Sequence, residues 1–434
     1  MRTSLIFFLC IFLTNCSKKI DLGIDIEQLK KDGIVVLEKK KLQNLNEDKS
    51  LISKINLRNV NEFNSWKHPY FNSQNLIPHA KFNGNFANIK KSHKFRKAKE
   101  NTYKKSIIKV NNKIVFVDDY SNLHILDEEL NLINKFQIYK KKIFKTYPLK
   151  FTISSNDNFV YIADNLGSIL AYDILNLKLV WKIELGVPLL SNIVFYKKNL
   201  FITNSNGKIF SLNHSNGKVN WSYETGTVGT SSHKAYQLAV ANDKLLFSND
   251  FANLYCIDLK KQNLSWRITL ERERNYSDVG FFELSNLVIE KNNLFLSSSF
   301  GSILKINIES GKIIWSNISN SSILPIVTKN SVVLVNKNGI LNIFNKKDGK
   351  IRFKKNLFTI LKSKKIKLKD IQVVNFFLTS DTIYIFTSRG LIFEININDL
   401  KSISYLKISK KPLSNFLISD GFIYFIANNK IYKT

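Results

Sequence analysis

One pattern returns along most of the chain at a near-constant interval, and it leaves few folds open. The segments VYIADNLGSILAYDILNLKLVWKIEL (residues 160–185), LFITNSNGKIFSLNHSNGKVNWSYE (200–224) and LFLSSSFGSILKINIESGKIIWSNI (294–318) align throughout. Each reads as an apolar strand, a turn with glycine, a second alternating strand ending in Asp or Asn, another turn, and a third strand with Trp. Residues 245–270 are a fourth copy, with Asn253 in place of the glycine. Weaker copies at 114–138, 332–356 and 383–408 carry Phe136, Phe353 and Tyr405 in place of Trp. Apolar residues alternating at period 2 between Asn/Gly/Ser/Asp turns are antiparallel hairpins, and little of the chain keeps a helical period.

The marker aromatics, Phe136, Trp181, Trp221, Trp266, Trp315, Phe353 and Tyr405, are separated by 38 to 52 residues. That is one four-stranded propeller blade per step. After Tyr405 only three strands remain, Leu413 to Ile418, Phe422 to Ala427 and Lys430 to Lys433. Upstream, Lys90 to Lys97 supplies the missing outer strand, with Phe95 as its marker. Closing the ring with strands from both termini removes two free sheet edges. The expected fold is therefore all-β: an eight-bladed propeller of four-stranded antiparallel blades over residues 65–434, with the first and last strands sharing a blade. A large flat ring on an outer strand lies over the neighbouring blade, close to a turn glycine that lets backbone and indole approach. The marker Trps are read as packing residues.

Of 434 residues, 44% are hydrophobic and 23% charged, enough to build a large core and unlike a disordered chain. Cysteine occurs only at Cys10, Cys16 and Cys256, which excludes a disulfide-dense scaffold and any four-Cys metal site. Lys and Arg number 65 against 34 Asp and Glu, a net charge of +31. Such an excess invites an anionic partner. The Lys is scattered through almost every segment together with abundant Asn and Ile, which fits compositional bias and not a nucleic-acid footprint gathered on one element. No nucleic-acid partner is expected.

Residues 1–15 carry Arg2, an apolar run from Leu5 to Leu13 and a polar break before Cys16. Nine apolar residues are too few to span a bilayer, so the segment reads as a signal peptide. Leu13-Thr14-Asn15-Cys16 resembles the bacterial lipobox, which implies lipidation of Cys16, removal of residues 1–15 and, with Ser17 next, sorting to the outer membrane. Asn15 departs from the usual Gly or Ala. Residues 16–64 read as the lipidated Cys and a flexible tether with one short ordered piece, the apolar Ile34-Val35-Val36 being an example of its isolated apolar groups.

The copies resemble the PQQ-type repeat of quinoprotein propellers, whose Trp-docking motif falls here on Gly167 with Trp181, Gly207 with Trp221 and Gly301 with Trp315, Trp266 having Asn253 instead. With the lipobox and tether, the chain is similar to the lipid-anchored BamB family. Ser65-Trp66 with His79 resembles the stretch before the first blade in related proteins. The resemblance implies a scaffold of the outer-membrane barrel-assembly (BAM) complex, facing the periplasm. It would bind the POTRA region of BamA, meet other BAM components and aid nascent outer-membrane proteins. Family contacts lie on loops between blades, here Thr225 to Gln237 and Glu271 to Phe282. They put Ser232, His233, Lys234, Arg274, Asp278 and Val279 forward as partner-binding residues. Both loops are long for propeller connections, and long loops on a rigid ring commonly carry binding, although insertions are also tolerated at a blade rim.

Two other readings stand beside it. A lipoprotein propeller could hold anionic lipid or polymer through its Lys excess. A PQQ-dependent dehydrogenase needs a cofactor site and, by family resemblance, adjacent cysteines that this chain lacks. The six histidines, His68, His79, His93, His124, His214 and His233, show no close metal-ligand spacing. No Walker loop, nucleophile elbow or His-Glu-x-x-His occurs. Asp164, Asp173, Asp258 and Asp348 fall at turns, where Asx turns account for them. No cofactor, metal or catalytic residue is expected.

Overall fold

The structure, a computed structural model, describes residues 34–37, 54–86, 88–96, 105–140, 148–226, 234, 236–272, 283–299, 301–363, 371–409 and 413–434. Strands follow one another in fours, each four a separate antiparallel sheet, and the eight sheets make the blades of a propeller. Blade 1 is Ile107–Val110, Lys113–Val117, Asn122–Leu126 and Leu132–Gln137, and the next six repeat its order. Blade 8 joins Leu413–Ser419, Phe422–Ala427 and Lys430–Lys433 to Lys90–Lys91 from the other end of the chain. Lys90 pairs with Lys433 and Lys91 with Tyr432, Phe95 N–H donates to the Asn429 carbonyl (2.9 Å), and the Phe95 side chain is buried. Ring closure by both termini is as the repeat count requires.

The second and third strands of the blades are almost wholly buried, whereas an outer strand such as Val219–Glu224 alternates between exposed and half-buried residues. Recurrent Asx turns join the second strand to the third. Oδ1 of Asp118, Asp164, Asn204, Asn249 and Asn336 accepts the N–H groups two and four residues on. Asp173, Asp258 and Asp348 do similar work between third and outer strands.

In blades 1 to 6 the outer strand skips a residue of register immediately before the marker place, at Ile133, Val180, Asn220, Ser265, Ile314 and Arg352. Such a bulge re-aims the next side chain and blunts an exposed edge. In blade 1 the register gives the marker place to Asn134, opposite Ile125, and Phe136 lies two residues further on, its ring 5.0 Å from that of Tyr172.

The glycine partners of the Trp rings differ from the expected ones. The ring of Trp181 lies against Gly217, that of Trp266 against Gly311 and that of Trp315 against Gly349, each glycine in the turn before the outer strand of the following blade. The indole N–H groups donate to the backbone of those same turns, to His214 (3.1 Å), Ile308 (2.7 Å) and Lys346 (3.0 Å). These glycines sit at φ +70° to +74°, and a Cβ would fall 2.5 to 2.9 Å from ring carbon. Blade 4 has Gln262 (φ +53°) at the matching place, so no glycine marks that turn for Trp221. The expected glycines work within their own blade. Carbonyls of Gly167, Gly207 and Gly301 accept N–H from Leu185, Thr225 and Ser319, four residues after each Trp, and so latch the end of the outer strand.

The body also begins earlier than residue 65. Asn56 exchanges backbone and side-chain hydrogen bonds with Lys329 and Asn330, and Ile55 is buried. From there the chain passes the inner strands of successive blades. Trp66 pairs with Lys109 of blade 1, the Lys67 carbonyl accepts from Ser155 of blade 2, and Ser73 and Gln74 carbonyls accept from Val240 and Ile289 of blades 4 and 5. Asn75 Nδ2 donates to Leu238 and Leu287 carbonyls, both at 2.9 Å, and Ala80 bridges to Thr379 of blade 7. Residues 66–80 thus plug the ring, with Trp66, Asn75 and His79 buried. The seam between blades 1 and 8 is tied by Lys109, a fully buried ammonium that meets Asp420 and, at 2.5 Å, Glu128. Further out, Ile34–Leu37 pairs in parallel with Thr269 to Arg272, a fifth strand on the outer edge of blade 4.

Candidate partner-binding rim

In an antiparallel blade, the connection leaving the outer strand emerges on the same rim as the turn between second and third strands. The two long connections, between blades 3 and 4 and between blades 4 and 5, are therefore neighbours on one rim. Of the proposed contact residues, Ser232, His233, Arg274, Asp278 and Val279 lie outside the described residues, and Lys234 lies within them.

Lys234 has a partner the sequence did not point to. Its Nζ donates to Glu283 Oε2 at 3.0 Å, and Lys337, in a turn of blade 6, donates to the same oxygen at 3.0 Å. Lys234 is near the end of the first long loop, and Glu283 is the residue after the second. One carboxylate therefore joins the feet of both loops to the next blade. Burial alone would raise the Glu283 carboxyl, but its hydrogen bond from Lys337 and the charge of Lys234 outweigh it and hold it at about 2. Burial lowers Lys234 while Glu283 pulls it back up. The shared 3.0 Å contact is that of a charged pair. Backbone fixes Glu283 in place: its N–H donates to Ser299 Oγ, and its carbonyl accepts from Ser299 N–H.

Beside this pair, Gln237 Nε2 donates to the Lys234 carbonyl and Tyr236 Oη to the Ser205 carbonyl, holding the end of the first loop to blade 3. Phe251 is 40% exposed at the neighbouring turn, against Gly226 at the start of that loop. Exposed aromatics are enriched at protein-docking surfaces. Because Glu283 is the shared partner, Glu283→Ala should release Lys234, and with it the foot of the first loop, from blades 5 and 6. The expected result is several-fold faster proteolysis within 225–237, with global stability changed by no more than about 1 kcal/mol, the scale of a solvent-screened pair. Unchanged cleavage would remove the strut.

The histidines and the cysteine have structural surroundings. His68 Nδ1 meets Ser154 Oγ (3.0 Å), His124 Nε2 meets Asp118 Oδ2 (2.9 Å), and Tyr161 Oη meets His214 Nδ1 (3.1 Å). Cys256 is buried in the core between blades 4 and 5, and burial pushes its thiol up to about 12. Among the described residues, no three His, Cys, Asp or Glu side chains gather as a metal site would require, and no helix is long and apolar enough to cross a membrane.

Comparison with known proteins agrees with this geometry. The family model described as outer membrane protein assembly factor BamB matches residues 145–355. The outer membrane protein assembly factor BamB of Nitrosomonas eutropha is 20% identical over 227 residues, 51% of this chain and 55% of that one. The crystal structure of BamB from Moraxella catarrhalis superposes with a TM-score of 0.63 at 14% identity, covering 76% of this chain and 95% of that chain. The chain is a BamB-like PQQ-repeat β-propeller. An uncharacterized protein of Rickettsia conorii is also similar, 22% identical over 349 residues, 77% of this chain and 73% of that one. In this BamB-like ring, the plug and the Lys234–Glu283–Lys337 strut lie outside the repeat pattern that identifies the family.

Proposed function

We propose that this propeller is a non-catalytic scaffold of the outer-membrane barrel-assembly machinery, anchored to the outer membrane through lipid on Cys16 and facing the periplasm. Its two long loops dock the POTRA region of BamA and bring nascent outer-membrane proteins to it. At the family level the BamB-like repeats support a scaffold role in that machinery and an outer-membrane-associated, periplasmic setting. The observation that carries the finer reading is the pairing of the two loop feet through Lys234 and Glu283. It makes two loops, distant in sequence, a single rim element beside exposed Phe251.

In solubilised outer membrane, BamA should co-purify with the wild-type chain. Asp278→Arg combined with His233→Glu and Lys234→Glu should cut its recovery at least about tenfold, the loss of roughly 1.4 kcal/mol or more of binding. The thermal midpoint should stay within a few degrees of wild type. Repeated absence of BamA from the wild-type pull-down would overturn the docking role. Full recovery with the triple variant would move the contact off these loops.

A further inference from the structure

The outer edge of blade 4 is unlike those of its neighbours. Outer strands of blades 1 to 3 and 5 to 7 run five to seven residues, but Asn263–Arg272 runs ten. The Leu270 N–H donates inward to the Ala252 carbonyl, the latch that ends the ladder in every blade, yet the strand goes on through Glu271 and Arg272. Backbone groups alternate along a strand, so with Leu270 facing inward, Thr269 and Glu271 face outward. The outward groups meet Ile34–Leu37 in parallel register, Ile34 opposite Thr269 and Leu37 opposite Arg272. We propose that this edge is a strand-addition site for an extended apolar segment of a client polypeptide, and that Ile34–Leu37 is a built-in occupant that such a segment displaces.

Three features argue for exchange. The resident strand has only four residues, and parallel pairing is the weaker kind. Its residues, Ile-Val-Val-Leu, are the β-branched and apolar type that an unfolded barrel strand also offers. It reaches the ring's body at Lys54 through sixteen residues, numbers 38 to 53, so it competes as a tethered ligand at an effective concentration of about 1 mM. A free strand of about 0.1 mM affinity would then bind roughly tenfold more weakly to the occupied edge than to a vacated one. The edge also leads directly into the loop Glu271 to Phe282, so a captured strand would lie at the proposed docking rim. The source of the client, a nascent outer-membrane protein, rests on the scaffold reading above; the edge itself does not.

The test uses a fluorescent peptide copying residues 31–39, KDGIVVLEK, and the full-length chain. Consecutive residues alternate in direction, so Val35→Pro with Val36→Pro removes at least one N–H from the edge pairing and vacates the site. Glu271→Pro removes an outward donor without touching the inward ladder, as proline on an edge strand allows. Anisotropy should show the peptide binding the double-proline chain about tenfold more tightly than wild type, and losing that binding when Glu271→Pro is added. The urea midpoint should be alike in all three, since all the changes lie in the two outermost strands of blade 4. A nine-residue barrel-strand peptide of alternating apolar pattern should compete. Equal affinity for wild type and the double-proline chain, binding that survives Glu271→Pro, or no binding up to 1 mM peptide would each overturn the strand site. BamA co-purification reports separately: lost peptide binding with BamA retained removes only the strand site, and peptide binding without BamA removes only the scaffold reading.

Discussion

Gly349→Ala should lower the urea midpoint far more than Gly186→Ala, although both glycines sit at φ +72°. An alanine in that left-handed conformation costs roughly 1–2 kcal/mol at either place. A Cβ on Gly186 meets nothing within 4 Å, whereas on Gly349 it falls 2.5 Å from Trp315 Cε3 and 2.6 Å from Cδ2. The indole has little room to yield. It is 8% exposed, its N–H is bonded to the Lys346 carbonyl, and Asn317 Nδ2 donates to the carbonyl of Gly349 itself. Overpacking of this kind adds about 1–3 kcal/mol, so Gly349→Ala should cost about 2–5 kcal/mol in all. Trp315→Ala should cost about 3–5 kcal/mol by leaving a cavity between blades 5 and 6. The double variant separates contact from coincidence: with the indole gone the clash is gone, so the two losses should fall short of additive by about 1–3 kcal/mol. Additive losses, or equal losses for Gly349→Ala and Gly186→Ala, would mean that indole docking does not hold the blades together.

The same contact marks what was legible in the sequence. Marker spacing carried the blade count, and the missing fourth strand after Tyr405 carried ring closure, because both follow from local period and from the cost of open edges. The partner of each Trp was not legible from within one copy. Gly167, Gly207 and Gly301 stand out because the repeat repeats them, but a ring reaching across a blade boundary meets the next copy's turn, and a single-copy alignment contains no such contact. A signal did exist: Gly217, Gly311 and Gly349 end turns shared by NHSNG, NIESG and NKKDG, and the copy without a glycine there follows Trp221. The plug was harder. Residues 54–80 carry neither alternation nor repeat, and Ile55, Trp66, Ile77 and His79 become core only because eight inner strands surround an axis that one segment can fill. Lys234 was singled out as a binding residue, while Glu283, which holds it, lies just beyond the loop and carries no motif.

Acidification from pH 7 to 5 should loosen the ring through that plug. His68 and His79 are both held down at about 3, His68 by burial and then by Lys67, His79 by burial and then by the charges of Arg58 and Lys346. In the unfolded chain each returns to about 6.5. Because the folded values are depressed, the neutral rings contribute fully above about pH 6.5, and their contribution falls as the unfolded state takes up protons between 6.5 and 3. At pH 5 the loss is about 2 kcal/mol for each histidine, at 1.36 kcal/mol per unit over 1.5 units. His93 and His214, also lowered by burial, act in the same direction. Carboxylates such as Glu283 and Asp258, held at about 2, give up their contribution only below their ordinary range near 4, so the interval from 6.5 to 5 reports on histidine. The urea midpoint should therefore fall on acidification, and proteolysis near residues 54–80 should quicken first, since only one or two backbone hydrogen bonds hold the plug to each blade it meets. His68→Asn with His79→Leu should flatten most of that pH dependence, and a variant that keeps the wild-type slope would place the acid sensitivity elsewhere in the ring.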